Sequence, residues 1–470
     1  MWPVDRKATT SPGRQHGQPP AGGGTDLAGG DPHGAPYVIG QVDCAILKQS
    51  FAHIESVAEK AVGYFYARLF VANPELRSMF PLAMDATRKH FLAALAHIVW
   101  SMDDPQALAD YLRQLAVDHR KFGVRENHYQ IIGQALIATL RTFSGGMWTA
   151  RAQSAWEAAF AHIATVMTQA VRDAEGEPAW WLGEVVGHEL RGPDLAVLTI
   201  RADPAQPLRY LPGQYLNVQV TRWPRIWRKY SIANAPRPDG SLDLHVRAIP
   251  TGRVSRALVH ETGPGDTLVL GPPRGTMIVD DRSSRDILCV AGGTGLAPIK
   301  AIIEGLADTT VPRPARRISL FFGARRREDL YDLADLRRLE AACPSLRVIP
   351  ALSHEPGFAG LRGMLPEVVR QHGSWHDSEV FVSGPADMVR ATLRILAHRT
   401  SGQHIHLDEP DATDSPAHSV VASRAGVSGI RYGPAHSVVA SGAGVSGMRD
   451  GPAPGQGVTP CAIAAPTHRR

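Results

Sequence analysis

The chain has 470 residues, of which 44% are hydrophobic and 20% charged, and a formal net charge of +5. That length exceeds what one hydrophobic core supports, so two or three domains are expected. So small a charge, with no basic stripe interleaved with aromatics, argues against nucleic acid as a partner. Four widely spaced cysteines with no CxxC pair argue against a structural zinc, an iron–sulfur cluster or a disulfide scaffold.

Residues 1–40 are rich in Gly, Pro and polar side chains and read as a disordered tail without the apolar stretch of a secretory leader. From 41 to 175 the pattern is helical throughout. In the helix before Gly123, Leu108, Leu112, Leu115, His119 and Phe122 recur at steps of four and three, which places His119 on an apolar face. An inward histidine is by itself more often a core residue than a ligand, and His97 and His162 satisfy the same periodicity. Glu175-Gly176-Glu177-Pro178 breaks the helical pattern. Short β runs between turns follow over 178–280, namely Ala196–Ile200, Tyr215–Val220, Leu242–Val246 and Thr267–Leu270, which suggests a small antiparallel barrel. Over 281–409 apolar strands (Ile287–Ala291, Ile318–Phe322, Leu346–Leu352, Glu379–Ser383) alternate with helical stretches, the pattern of a parallel α/β sheet. Cys289, inside the first of these strands, is expected in the core. The remainder, 410–470, holds two copies of an 18-residue Ala/Gly/Ser-rich repeat, Pro416–Gly433 and Pro434–Gly451, and reads as a second disordered tail. No segment offers the roughly 18 consecutive apolar residues of a membrane span. Together with the cysteine usage, this leads us to expect a reducing cytoplasm.

The most informative local signal is Gly292-Gly293-Thr294-Gly295-Leu296, where an apolar strand runs into a glycine-rich turn and then a helix. Such a turn lets backbone N–H groups approach a pyrophosphate, although this order departs from the GxGxxG fingerprint. Upstream lie Tyr215, then Arg228-Lys229-Tyr230-Ser231, then Gly252-Arg253-Val254-Ser255; Leu270 to Gly275 closes the barrel and Ser383-Gly384-Pro385 comes last. With Tyr215 counted as the lead-in to Arg228–Ser231, these five elements, in chain order, resemble the ferredoxin–NADP reductase superfamily. The resemblance implies an FAD site in which Arg228 neutralises the diphosphate and Tyr230 packs on the isoalloxazine. Ser231 would hydrogen-bond the ring, with Tyr215 and Lys229 beside it, and Gly252, Val254 and Ser255 would contact the diphosphate. It also implies a nicotinamide site at Gly292, Gly293, Thr294, Gly295, Leu296, Ser383, Gly384 and Pro385. Arg325, in Gly323-Ala324-Arg325-Arg326-Arg327, is placed to meet a 2′-phosphate; the GAR-then-DLYDL pattern is instead like NADH users, and NADH is favoured.

The helical part resembles the globin of flavohaemoglobins in Tyr64–Phe70, Asn73–Phe80 and the segment His119 to Val124 with Tyr129 and Gly133. The resemblance implies haem b with His119 as the iron ligand, Tyr129 orienting it, Tyr66 as the distal phenol, Thr87 where a Gln often stands, and Phe80 and Phe91 lining the haem. A carboxylate that usually completes the proximal network aligns near Val171, with only Asp173 close by. Asp408 stands for the family's C-terminal acid, and Pro410 stands where an aromatic usually covers the flavin. The expected fold is thus multidomain: an all-α globin, then an antiparallel β-barrel FAD domain, then an α/β nucleotide-binding domain. The implied activity is nitric oxide dioxygenase, drawing on dioxygen, nitric oxide and NAD(P)H with no obligatory protein partner. A reductase serving another acceptor and a haem-based oxygen or redox sensor are the alternatives.

Overall fold

The computed structural model describes residues 43–308, 310–396 and 404–407. Both expected tails, the repeat, Asp408 and Pro410 lie outside the described residues.

Six helices form the first part: α1 (Cys44–Glu55), α2 (Ala58–Ala72), α3 (Asp85–Trp100), α4 (Pro105–His119), α5 (Glu126–Phe143) and α6 (Ala150–Asp173). Three begin on side-chain caps that satisfy a free backbone N–H. Asp43 accepts from Ile46, Asp104 from Ala107, with Pro105 at the first helical position, and Thr149 from Ala152. Leu108 and Leu112 of α4 are 2% and 0% exposed, and each contributes about 1.5–3 kcal/mol by leaving water. Trp156 of α6 is equally buried, and its indole donates to Ser50 Oγ at 2.9 Å across the core.

The expected periodicity of α4 fails at its last member. The α-helix ends at His119, a 3₁₀ turn carries Arg120–Phe122, and Gly123 stops it in the left-handed region at φ 75°. Tighter winding shifts the phase, so Phe122 leaves the apolar face and is 36% exposed.

The second part is a six-stranded antiparallel sheet, nearly closed into a barrel. Its strands are β1 (Trp181–Gly192), β2 (Leu195–Ala202), β3 (Tyr215–Val220), β4 (Arg228–Ser231), β5 (Ser241–Arg247) and β6 (Thr267–Leu270), in the order β4-β3-β6-β1-β2-β5. A bridge between Ile232 and Leu244 brings the two edges together. Helix α7 (Arg253–His260) covers it with Val254, Leu258 and Val259 buried.

The third part is a parallel sheet of β7 (Asp286–Gly292), β8 (Ile318–Ala324), β9 (Leu346–Leu352), β10 (Leu361–Arg362), β11 (Ser378–Ser383) and β12 (Ile405–Leu407), in the order β10-β9-β8-β7-β11-β12. Its helices are α8 (Leu296–Ala307), α9 (Leu333–Ala342), α10 (Leu365–Gln371) and α11 (Ala386–Leu396). Cys289 is fully buried within β7, as its apolar neighbours led us to expect. The chain leaves β7 toward β8 on one side and returns as β11 on the other, so the crevice at the C-terminal ends of β7 and β11 is a switch point, where open α/β sheets bind ligands. Among the described residues no helix is long and apolar enough to cross a membrane.

The barrel and the parallel sheet are joined by buried polar groups. Asp332, 1% exposed in its side chain, meets Lys300 at 2.8 Å and Arg191 at 3.5 Å. The Tyr331 hydroxyl lies 2.7 Å from His245 Nδ1. Burial holds the His245 pKa down at about 3 and pushes the Tyr331 phenol well up, so the imidazole is neutral and accepts from the phenol.

Candidate active site

The aromatic residues of α2 and α3 converge. Tyr66 is 4% exposed, and its ring lies 5.7 Å from those of both Phe80 and Phe91, with Phe65 at 5.0 Å and Phe70 at 5.8 Å. Burial pushes the phenol pKa up, so the hydroxyl stays protonated and can donate. No described residue accepts from it. Thr87 is half-buried on the first turn of α3.

His119 closes α4. Its Nδ1 donates to the Leu115 carbonyl at 2.6 Å, which leaves the Nε2 lone pair facing away from that bond. Loss of solvent lowers the ring's pKa, opposed by the Leu115 bond and by the neighbouring Asp118 carboxylate. A neutral imidazole with one oriented N–H and one free lone pair suits a single-histidine iron ligand. Among the described residues no group of three or more His, Cys, Asp or Glu is placed to hold a bare ion. His97 packs its ring 4.2 Å from Tyr111, as a core residue does.

Tyr129 does not take its expected place. The partner of His119 is the Leu115 carbonyl, four residues back, a bond that any helix offers a C-terminal histidine. The Tyr129 hydroxyl is buried without a hydrogen-bond partner among the described residues. Asp173 accepts from Gln169 at 2.7 Å, so it completes no proximal network. Asp118 is the carboxylate that acts on His119, and the sequence pattern, which singled out inward residues, passed over it.

On the barrel, Tyr215 pairs with Ser231 and Leu216 with Tyr230 across β3 and β4, so the expected flavin residues share one ribbon. The Lys229 ammonium sits 3.7 Å from the Tyr215 ring centroid, and the Arg228 guanidinium donates to the Trp227 carbonyl at 2.8 Å. Ser255 Oγ is turned away from its expected role, whereas Val254 keeps its backbone N–H in the first turn of α7. Val254 is a core side chain at 1% exposure. Ser255 Oγ closes its own turn, accepting from Ile249 N at 3.3 Å and lying 3.4 Å from the Gly252 carbonyl. What this turn offers a diphosphate is the backbone N–H groups at the start of α7, with the half-buried Arg228 as a cation.

At the switch point the glycines divide into two kinds. A Cβ on Gly295 would lie 2.4 Å from the backbone of Ser383 and Gly384, and one on Gly292 would lie 2.6 Å from Met388 Sδ. Gly384, at φ 145°, presses back on Gly292. These glycines therefore let two turns touch each other. Gly293, at φ 55°, has nothing within 4 Å of its missing Cβ, and it opens the backbone beside the N-terminus of α8 to a ligand. Thr294 is half-buried there, while Leu296 is wholly buried and Pro385 exposed. Arg325 is exposed just beyond β8 and has no acidic partner among the described residues, whereas Arg327 engages Glu355 at 3.6 Å.

The segment that carries His119 also meets the barrel. Asp118 lies 3.5 Å from Arg274 Nε, and Arg274 is bridged to Tyr215. Arg120 donates to the Glu177 carbonyl at 2.6 Å. The Phe122 and Trp227 ring centroids are 6.4 Å apart at 86°.

Three family models match in succession: Globin over residues 63–167, the Oxidoreductase FAD-binding domain over 183–278, and the Oxidoreductase NAD-binding domain over 289–394. The Flavohemoprotein of Bordetella pertussis is 28% identical over 398 residues, covering 77% of this chain and 96% of that one. The ferredoxin–NAD(P)(+) reductase component of a Pseudomonas putida naphthalene 1,2-dioxygenase system is 32% identical over 232 residues, 48% of this chain and 67% of its own. A flavohemoglobin from Malassezia yamatoensis, solved with bound FAD and heme, superposes with a TM-score of 0.65 at 15% identity over 79% of this chain and 99% of its own. Haem, FAD and a nicotinamide dinucleotide are the cofactors of these domains. A globin followed by FAD- and NAD-binding oxidoreductase domains is the flavohaemoprotein architecture, and the chain belongs to that family.

Proposed function

We propose that the chain is a nitric oxide dioxygenase, using NAD(P)H to convert nitric oxide and dioxygen to nitrate. The observation that carries this reading is Tyr66, a protonated phenol buried among phenylalanines with no acceptor among the described residues. Such a donor is suited to a ligand whose charge develops inside an apolar pocket. When bound, the cofactors would supply the chemistry, the flavin converting a two-electron donor into single electrons and the haem offering a site for dioxygen. The chain's own work is to bind and orient. His119 Nε2 holds the iron while the Leu115 carbonyl fixes the ring's tautomer. Phe80 and Phe91 exclude water. Arg228 and the amides of α7 hold the flavin diphosphate, with Tyr230 and Ser231 at its ring. Gly293 and the N-terminus of α8 hold the dinucleotide, with NADH as the favoured donor.

In air with NADH, purified protein should consume nitric oxide and form nitrate. A normal Soret band with nitric oxide loss no faster than free flavin produces would overturn the reading. The band should vanish in His119→Ala and persist in His97→Ala. A second reading, delivery of electrons to another acceptor, is favoured by Thr87 and by the unpartnered Tyr129 hydroxyl. In that case an external acceptor would be reduced faster than nitric oxide.

A further inference from the structure

Phe122 gives up a place on the apolar face of α4 and presents its ring to the barrel instead. The His119 ring lies 6.1 Å from it at 71°, and Trp227 lies 6.4 Å from it on the other side at 86°. Trp227 directly precedes Arg228, the first residue of β4, on the ribbon that carries Tyr230 and Ser231. Edge-to-face contacts of this kind run without a break from the α4 terminus to the flavin ribbon. Beside the two rings sits a lysine whose ammonium also lies 3.8 Å from Asp118 Oδ1. Lys121 is 5% exposed in its side chain, and its ammonium is 5.3 Å from the Phe122 centroid and 5.5 Å from that of Trp227. A buried cation shared by two ring faces holds both rings in place and stabilises negative charge passing between them. Phe122 and Trp227 also line a cleft of about 360 Å³ with Ser78 and Met79 of the globin and Gln219 of the barrel, so beside the pair the two domains stand apart.

We propose that Trp227 and Phe122, clamped by Lys121, form the contact through which electrons enter the globin. The inference rests on the reading above, with His119 as iron ligand and β4 as flavin ribbon. One hydride from the nicotinamide brings two electrons to the flavin. They would leave one at a time, each able to reduce one ferric iron to ferrous, and the one proton that came with the hydride would go to solvent. The two rings serve as the medium and are themselves neither oxidised nor reduced.

The test uses the full chain loaded with haem and FAD, comparing Phe122→Leu, Phe122→Trp, Trp227→Leu and Trp227→Phe. After anaerobic mixing with NADH, flavin bleaching and the Soret shift are followed separately. In both leucine variants flavin should bleach at the wild-type rate while haem reduction slows by about tenfold, equivalent to roughly 1.4 kcal/mol of barrier. The aromatic variants should recover most of that rate. Dithionite, which bypasses the flavin, should reduce the haem of all four at the wild-type rate. A readout without cofactors comes from 5-fluorotryptophan in the haem-free chain: the resonance absent in Trp227→Phe should shift in Phe122→Leu. Wild-type haem reduction in the leucine variants, equal slowing in the aromatic ones, slowing with dithionite, or an unmoved fluorine resonance overturns the proposal. Failure of the underlying reading shows separately, as a Soret band that survives His119→Ala.

Discussion

The chain has two domain joints, built on opposite principles. Between barrel and parallel sheet, Asp332 is all but sealed from solvent against Lys300 and Arg191, and a neutral His245 accepts from Tyr331. Between globin and barrel, the ion pair Asp118–Arg274 spans 3.5 Å at side-chain exposures of 32% and 18%, beside an aromatic edge and a cleft. Buried charges are costly unless each is matched, so the first joint tolerates one geometry, while the second tolerates small displacements. The two transfers differ in the same way. Hydride must pass between two ring atoms held in near contact and aligned. A single electron needs only a close path.

The barrel–sheet joint is most vulnerable at Asp332. Asp332→Asn leaves Lys300 and Arg191 only Asp335, at 4.0 and 3.5 Å, and should destabilise the reductase by up to about 3 kcal/mol in urea unfolding. A loss as small as a surface pair gives would mean the barrel and sheet are held by packing instead. Acid should act at the same joint. The His245 pKa is depressed from 6.5 to about 3, so the folded state binds fewer protons than the unfolded. The stability this contributes is fully present above pH 6.5 and is lost as pH falls toward 3, at roughly 1.4 kcal/mol per pH unit. The slope of stability against pH in that window should flatten by that amount in His245→Gln; an unchanged slope would remove His245 from the account. The smallest effect belongs to the looser joint. Arg274→Gln, which spares the pairing of Asp118 with Lys121 at 3.8 Å, should cost at most about 1 kcal/mol, and raised salt should erase the difference from the wild type. A salt-independent loss of several kcal/mol would show the two joints to be alike.

Much of this architecture was legible because turns and strands declare themselves through residue type. The runs at Tyr215–Val220, Thr267–Leu270 and Leu346–Leu352 coincide with β3, β6 and β9. Glycine marked the nucleotide turn, yet only the contacts show that Gly295 serves the neighbouring turn and Gly293 the open side. Periodicity grouped His119 and Phe122 on one face and misplaced Phe122, since nothing in a spacing of three announces a change of helix type. Ser255 looked like a ligand-binding hydroxyl because its competing acceptors and donors, Gly252 and Ile249, become neighbours only once the turn forms. Asp118, Lys121, Trp227 and Arg274 escaped notice together. Each is unremarkable alone, and their meaning arises when two distant stretches of chain are brought into contact.

The backbone-to-backbone seating of Gly295 on Ser383 and Gly384 constrains how such a chain can change over generations. A side chain at Gly295 demands a simultaneous rearrangement in a turn almost ninety positions away, and Gly384 imposes the reverse demand. Neither turn can be exchanged alone, by drift or by grafting from another reductase. Arg325 stands outside this lock. Arg325 can therefore be replaced alone, beside a frame whose two halves can be replaced only together.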